Sequence, residues 1–274
     1  MKNVCLLAIF FLILAFLSNL AATPAQAIGQ AAILPNHTGY LDLTTIPITY
    51  HVVGEVNNTN TVSLKWLRVT ATFYDQNNSL IGSNSSYAFL DVLLPARKTP
   101  FEVVWVGDGA KQIYNYSLTS EFSEYTGEKP LALEILENAT YVDEAGFLKV
   151  NGTVRNIGES NATGVKVVAT FYNDQGKVVG VTFGYTMPLT IMPSHTEHFD
   201  LELRPEGVNF SYYSLTAEST EYALVPELSL WHIHILLIIL TLTVLTVHFK
   251  TKNKFESIEE NVRSYKLIYK FIHN

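Results

Sequence analysis

Cysteine is almost absent from this 274-residue chain, and the single one, Cys5, lies in an apolar run at the start. The remainder can form neither disulfides nor thiol chemistry, so whatever folds there is held by its core alone. Basic charge is scarce too. Residues 28–228 carry 22 Asp and Glu against 11 Lys and Arg, a balance of −11 that excludes a phosphate-binding surface and with it nucleic acid as a partner. Helical periodicity is missing from the same stretch. So are a Gly-x-Ser-x-Gly motif, a Ser-His-Asp set in plausible context and paired carboxylates on facing strands. No catalytic residue, cofactor or enzymatic activity is expected.

What is present begins with two apolar segments. Lys2, the run Val4–Leu17 and the small-residue stretch ending Ala25-Gln26-Ala27 have the layout of a secretory signal, predicted to span 1–27. Cys5 precedes the apolar core of that signal instead of closing it, which excludes a lipobox. Residues 228–249 form a 22-residue stretch without charge, long enough as a helix to cross about 30 Å of hydrocarbon. Trp231 stands where an interfacial aromatic belongs, and Lys250, Lys252 and Lys254 hold the following side in the cytoplasm. The expected protein is therefore a single-pass type I membrane protein, its N-terminal part extracellular and its partner the membrane lipid. The tail, 250–274, has six basic and three acidic side chains. Phe255, Ile258, Val262, Tyr265, Ile268 or Tyr269, and Ile272 recur there at spacings of three and four, a helical stripe suited to the anionic inner leaflet or to a docking partner.

Between these segments the sequence repeats itself. Val69-Thr-Ala-Thr-Phe-Tyr-Asp75 returns as Val167-Val-Ala-Thr-Phe-Tyr-Asn173, and the same displacement relates Gly54 to Gly152, Gly82 to Gly180, Pro95 to Pro193 and Phe101 to Phe199. Apolar residues alternate within each copy. Leu67, Val69, Ala71 and Phe73 face one way in the first copy, as do Val165, Val167, Ala169 and Phe171 in the second, while Leu148, Val150, Gly152 and Val154 alternate with Lys149, Asn151 and Thr153. Asp75–Ser79 and Asn173–Lys177 supply hairpin turns. About six or seven strands per copy predict an all-β architecture: two tandem immunoglobulin-like β-sandwich domains, 28–127 and 128–226, plus one C-terminal transmembrane helix. The boundary falls near Gly127-Glu-Lys-Pro130, and so short a linker predicts copies stacked end to end.

At Gly152-Thr-Val-Arg-Asn156, at Val165–Gly180 with its Ala-Thr-Phe-Tyr-Asn-Asp-Gln-Gly core, and at Met192-Pro193 before Phe199, the chain resembles the FxLYD family. It has Phe-Tyr-Asp or Phe-Tyr-Asn where that family has Leu-Tyr-Asp. The resemblance covers most of residues 45–225 and implies extracytoplasmic β-sandwich modules of prokaryotic surface proteins, with no catalytic residues. Val225-Pro-Glu227 is similar to the tripeptides that precede C-terminal anchors in archaeal surface proteins.

Nine glycosylation sequons occur between the signal and the span: Asn36, Asn57, Asn77, Asn84, Asn115, Asn138, Asn151, Asn161 and Asn209. The Asn, Ser and Thr content would give about two to three by chance. Asn57, Asn77 and Asn161 are expected in loops and Asn151 on an outward face, and glycans there would shield sheet edges. Nine sequons without a structural cysteine suit an archaeal envelope. His195, Glu197 and His198 alternate across a strand, and Asp143, Glu144 and Asp174 do not follow a calcium-loop pattern, so no metal site is expected. Tyr74 and Tyr172 are expected to project outward, with Tyr114, Tyr116, Tyr212 and Tyr213 near strand starts. Tyr74, Tyr172, Tyr212 and Tyr213 form the candidate binding face for an extracellular protein or polysaccharide. The expected role is a glycosylated envelope scaffold or protein-interaction module. The alternatives are a receptor-like subunit signalling through the tail and a carbohydrate-binding adhesin.

Overall fold

The computed structural model describes residues 31–203, 209–226, 238–239 and 241–246. The expected signal at 1–27, most of the expected span at 228–249 and the tail at 250–274 lie outside the described residues. No helix among the described residues is long and apolar enough to cross a membrane. In the unit formed by 226–274, residues 238–239 and 241–246 are helical, and the Thr241 and Thr243 hydroxyls donate back to the Ile238 and Ile239 carbonyls.

The described residues from Ala31 to Val225 are all-β. The first copy supplies β1 (Ala31–Ile33), β2 (Thr38–Asp42), β3 (Thr49–Asn58), β4 (Ser63–Tyr74), β5 (Leu80–Tyr87), β6 (Val92–Leu93), β7 (Lys98–Val106) and β8 (Asn115–Tyr125), with a 3-10 turn at Asp108–Gln112. The second supplies β9 (Leu131–Val142), β10 (Leu148–Asn156), β11 (Ala162–Thr163), β12 (Lys166–Tyr172), β13 (Val178–Tyr185), β14 (Thr190–Ile191), β15 (Thr196–Glu202), β16 (Tyr212–Glu218) and β17 (Ala223–Leu224). In the first copy β3 pairs with β1, β2 and β7, while β4 pairs with β5, β6 and β8. In the second copy one path runs β13-β12-β16-β17-β9-β10-β15, joined by a short parallel pairing of β17 with β9. That sheet curls until its ends meet: the Thr182 hydroxyl on β13 donates to the Glu202 carbonyl on β15 at 2.6 Å, and Met187 bridges His198.

Each copy closes over its own core. Val52, Val56, Leu67, Val69, Ala71, Phe73, Phe101 and Val103 fill the first, and Val150, Val154, Val165, Val167, Ala169, Phe171, Phe199 and Leu201 the second. These are the residues that period-two alternation points inward. The repeated glycines have a steric reason. Gly54 is the cross-strand partner of Phe101 and Gly152 that of Phe199, and a Cβ on either would stand within 3 Å of the ring. The hairpin turns follow their chemistry as well. Asp75 Oδ1 accepts the amides of Asn77 and Ser79, and Asn173 Oδ1 those of Gln175 and Lys177.

Two features depart from the sequence reading. Asn57 lies within β3, paired with Ala32 and Lys98, and not in a loop. The copies also do not stack end to end. The outer face of β2 and β3 in the first copy lies against the outer face of β12 and β13 in the second, where Val53, Val168, Tyr172, Val178 and Val181 form a third core with Tyr40, Phe89 and Leu90. Every residue of β12 is consequently buried, whereas its equivalent β4 is buried only on alternate residues.

Candidate functional site

The contact between the copies gathers the most elaborate polar chemistry among the described residues. On β3 the outward residues run Thr49, His51, Val53, Glu55. Glu55 is 1% exposed, an expensive position for a carboxylate unless it is fully paired. It is paired on three sides. Tyr172 of the second copy donates its hydroxyl to Oε1 at 2.7 Å, Asn36 donates its amide to Oε2 at 2.7 Å, and the Lys98 ammonium lies 2.9 Å from Oε1. Burial alone would push Lys98 down, but the Glu55 carboxylate outweighs it and the ammonium stands above its ordinary value. Burial, and then the Glu55 charge, raise the Tyr172 phenol.

A second ionic group closes the other margin. Glu218, 3% exposed, accepts the backbone amide of Asp91 at 2.6 Å and binds Lys166 at 3.1 Å and Lys129 at 3.5 Å. Lys166 reaches back to Asp91 at 2.9 Å, and Arg97 donates to the Leu224 carbonyl at 3.1 Å. The Lys166 ammonium is also held above its ordinary value, because Glu218 and Asp91 overcome the effect of burial. Beside the Glu55 group, the Val178 amide donates to the Asn36 carbonyl at 2.7 Å, and the Thr38 hydroxyl donates to the Val178 carbonyl.

The contact uses different faces of the two copies, so it is heterologous. Shifting by the repeat places Asn151 and Thr153 where the first copy has Val53 and Glu55, and Thr70 and Ser83 where the second has Val168 and Val181. Those equivalent faces are polar. The differences between the copies were the available signal for the contact, and similarity alone conceals them.

Tyr172, expected to project outward in the candidate binding face, is 3% exposed, because the first copy covers it and Glu55 takes its hydroxyl. It is withdrawn from that face. Tyr212 stacks on it at 4.8 Å and is half exposed, Tyr213 donates to Asn138 Oδ1 at 2.6 Å, and Tyr74 is half-buried. Tyr212 is thus brought to Tyr172, whereas Tyr213 packs against Phe171 and Tyr74 lies in the first copy, so the four rings do not form one surface. Tyr114 is exposed, while Tyr116 is bonded to His37 at 2.8 Å and burial pushes its phenol up to about 12.

Asn77, Asn84, Asn115, Asn138, Asn161 and Asn209 are exposed, and Asn57 and Asn151 are half-buried on outward faces. Asn36 alone among the nine enters the contact. His195 bonds the Pro193 carbonyl and His198 lies exposed on β15; among the described residues no three His, Cys, Asp or Glu side chains converge as metal ligands. Two buried asparagines escaped the sequence reading. Asn58 and Asn156 occupy equivalent positions, each donating from Nδ2 to two carbonyls (Val62 and Leu93; Ser160 and Ile191) and accepting an amide that follows it in the chain (Asn60; Gly158).

No protein-family model and no curated protein matches the chain. Solved structures with some similarity include the exo-chitosanase CsxA of Amycolatopsis orientalis (12% identity, 68% of this chain and 26% of that one, TM-score 0.26) and a calcium-binding mutant of Bacteroides uniformis β-glucuronidase 2 (12%, 74% and 29%, TM-score 0.28). A β-galacturonidase from Eisenbergiella tayi is 14% identical over 62% of this chain and 32% of that one, with a TM-score of 0.21. The chain spans about a quarter to a third of the length of these proteins. Likeness of this degree carries no argument about fold or chemistry.

Proposed function

We propose that the protein is a non-enzymatic, glycosylated surface protein anchored by one C-terminal helix at 228–249, whose two immunoglobulin-like repeats, of FxLYD type, form a scaffold or interaction module in an archaeal-type envelope. The observation that carries this reading is the distribution of sequons. Six of the nine sequon asparagines are exposed around a β-rich body with two cores, and a 22-residue uncharged stretch followed by three lysines lies beyond it. The contact between the copies supports a scaffold: Glu55 and Glu218 are buried in it with their partners, so in the closed protein the two repeats hold one relation to each other.

The test is to crosslink intact cells, purify the full chain by its tail and identify what is attached. Envelope glycoproteins or wall polysaccharide support the scaffold. Recovery of cytoplasmic signalling proteins through the tail, with nothing bound outside, refutes it in favour of a receptor subunit.

A further inference from the structure

The contact between the repeats consumes a sequon. Asn36-His37-Thr38 runs from the link after β1 into the first residue of β2, where the first copy breaks what is a single strand, β9, in the second. Both residues that define the sequon are engaged there. Asn36 donates its amide to the buried carboxylate of Glu55 at 2.7 Å, its backbone carbonyl accepts the Val178 amide at 2.7 Å, and the Thr38 hydroxyl donates to the Val178 carbonyl. Asn36 Oδ1 is buried and has no hydrogen-bond partner among the described residues. The side chain is thus half-buried, its oxygen enclosed and its nitrogen committed to Glu55. By contrast Asn77 stands exposed in a turn.

We propose that glycosylation of Asn36 and closure of the two repeats exclude one another, so that this site sets whether the protein is closed or open. The inference rests on the glycosylated-surface reading above. In the transfer, Nδ2 attacks the anomeric carbon of a lipid-linked sugar pyrophosphate. The new N–C bond replaces one N–H, whose proton is released, and the C–O bond to the pyrophosphate breaks with its electron pair. No oxidant or reductant is needed. The product carries a sugar ring on an atom that, in the closed protein, sits 2.7 Å from Glu55 beside Tyr172 and Lys98. A group of that size fits only if β13 withdraws. In the other direction, a closed molecule engages in hydrogen bonds both the nitrogen that is modified and the hydroxyl that marks the site, and so withholds them from the transferring enzyme. Order therefore decides the outcome: sugar added first leaves the repeats apart, and closure first leaves Asn36 bare.

The experiment uses the full chain from its own membranes, with glycopeptide mass spectrometry at all nine sequons and hydrogen exchange at the Val178 amide. Molecules bare at Asn36 should protect Val178, and any that carry sugar there should exchange it about 100-fold faster, the loss expected when a contact of this kind opens locally. Asn36 modified to the extent of Asn77 with Val178 still protected overturns the proposal. Should all nine asparagines be bare, the glycosylated-surface reading fails, and Asn36→Trp then decides the inference alone. It should accelerate Val178 exchange well beyond Asn36→Ala, which removes the same hydrogen bond without bulk, while Asn77→Trp changes nothing. Equal exchange in the Trp and Ala variants overturns the proposal.

Discussion

Replacing Val53 by the residue that the second copy holds at the equivalent place, Asn151, probes the contact without touching either core. Val53 is fully buried, yet it belongs to the cluster with Val168, Tyr172, Val178 and Val181, while its neighbour Val52 points into the first core. Removing the valine from that cluster forfeits about 1.5–3 kcal/mol of apolar burial. Leaving an amide unpaired in the same place adds about 1–3 kcal/mol. The contact should therefore weaken by about 3–5 kcal/mol, with part of the loss recovered if water enters. At 1.4 kcal/mol per factor of ten, exchange of the Val178 amide should accelerate by at least about 100-fold. Amides within the cores, such as those of Val69 and Val167, should keep their protection. The assay is residue-resolved hydrogen exchange on the full chain in detergent. Unchanged protection of Val178 would refute the reasoning, and so would parallel loss at Val69 and Val167, which would place Val53 in the folding core of the first copy. The reciprocal change, Asn151→Val, should leave exchange at Val178 as it is.

Asn156→Ala should cost the second copy about 1–3 kcal/mol, because the buried Ile191 carbonyl loses its donor while the Ser160 carbonyl and Gly158 amide can turn to water, and thermal unfolding should show the loss. Gly152→Ala should destabilise more than Gly54→Ala: both would crowd a buried phenylalanine ring, but the Cβ at 152 would also meet the Glu137 backbone oxygen at 2.4 Å, held by strand pairing, whereas at 54 the further obstacle is the His37 Cβ at 2.6 Å, in the link before β2; comparison of the two melting temperatures tests this. Lys98 and Lys166 are both raised above their ordinary value of 10.5, so their stabilisation is fully present below that pH and is lost as pH rises through the higher folded values. Val178 exchange, corrected for its intrinsic base catalysis, should begin to rise only above about pH 10.5; a rise between pH 7 and 9 would contradict this.

Much of the fold was legible because it is local. Alternation in Leu67–Phe73 and Val165–Phe171 identifies inward faces, Asp75 and Asn173 announce their turns, and the repeated Gly and Phe pairs are cross-strand partners. The association of the copies was not legible in the same way. A strand covered on one side by its own core and on the other by a neighbouring repeat looks like β12, with Val167 and Val168 adjacent, and a search for likeness passes over such a pair. Tyr172 illustrates the consequence: its counterpart Tyr74 has only Ser117 near its hydroxyl, at 3.5 Å, whereas Tyr172 faces Glu55. Equivalent residues with the same side chain thus have different surroundings, and only tertiary placement distinguishes them. Asn58 and Asn156 were hidden for another reason, since asparagine at the end of a strand reads as an ordinary turn former.

The most direct measurement is a double-mutant cycle across the contact, combining Glu55→Leu in the first repeat, which leaves no acceptor, with Tyr172→Phe in the second and reading the opening free energy from Val178 exchange. Face-to-face association predicts that the two changes couple by about 0.5–3 kcal/mol, since each removes the other's partner. Strict additivity would show that the two side chains do not meet and that the repeats are held in some other way.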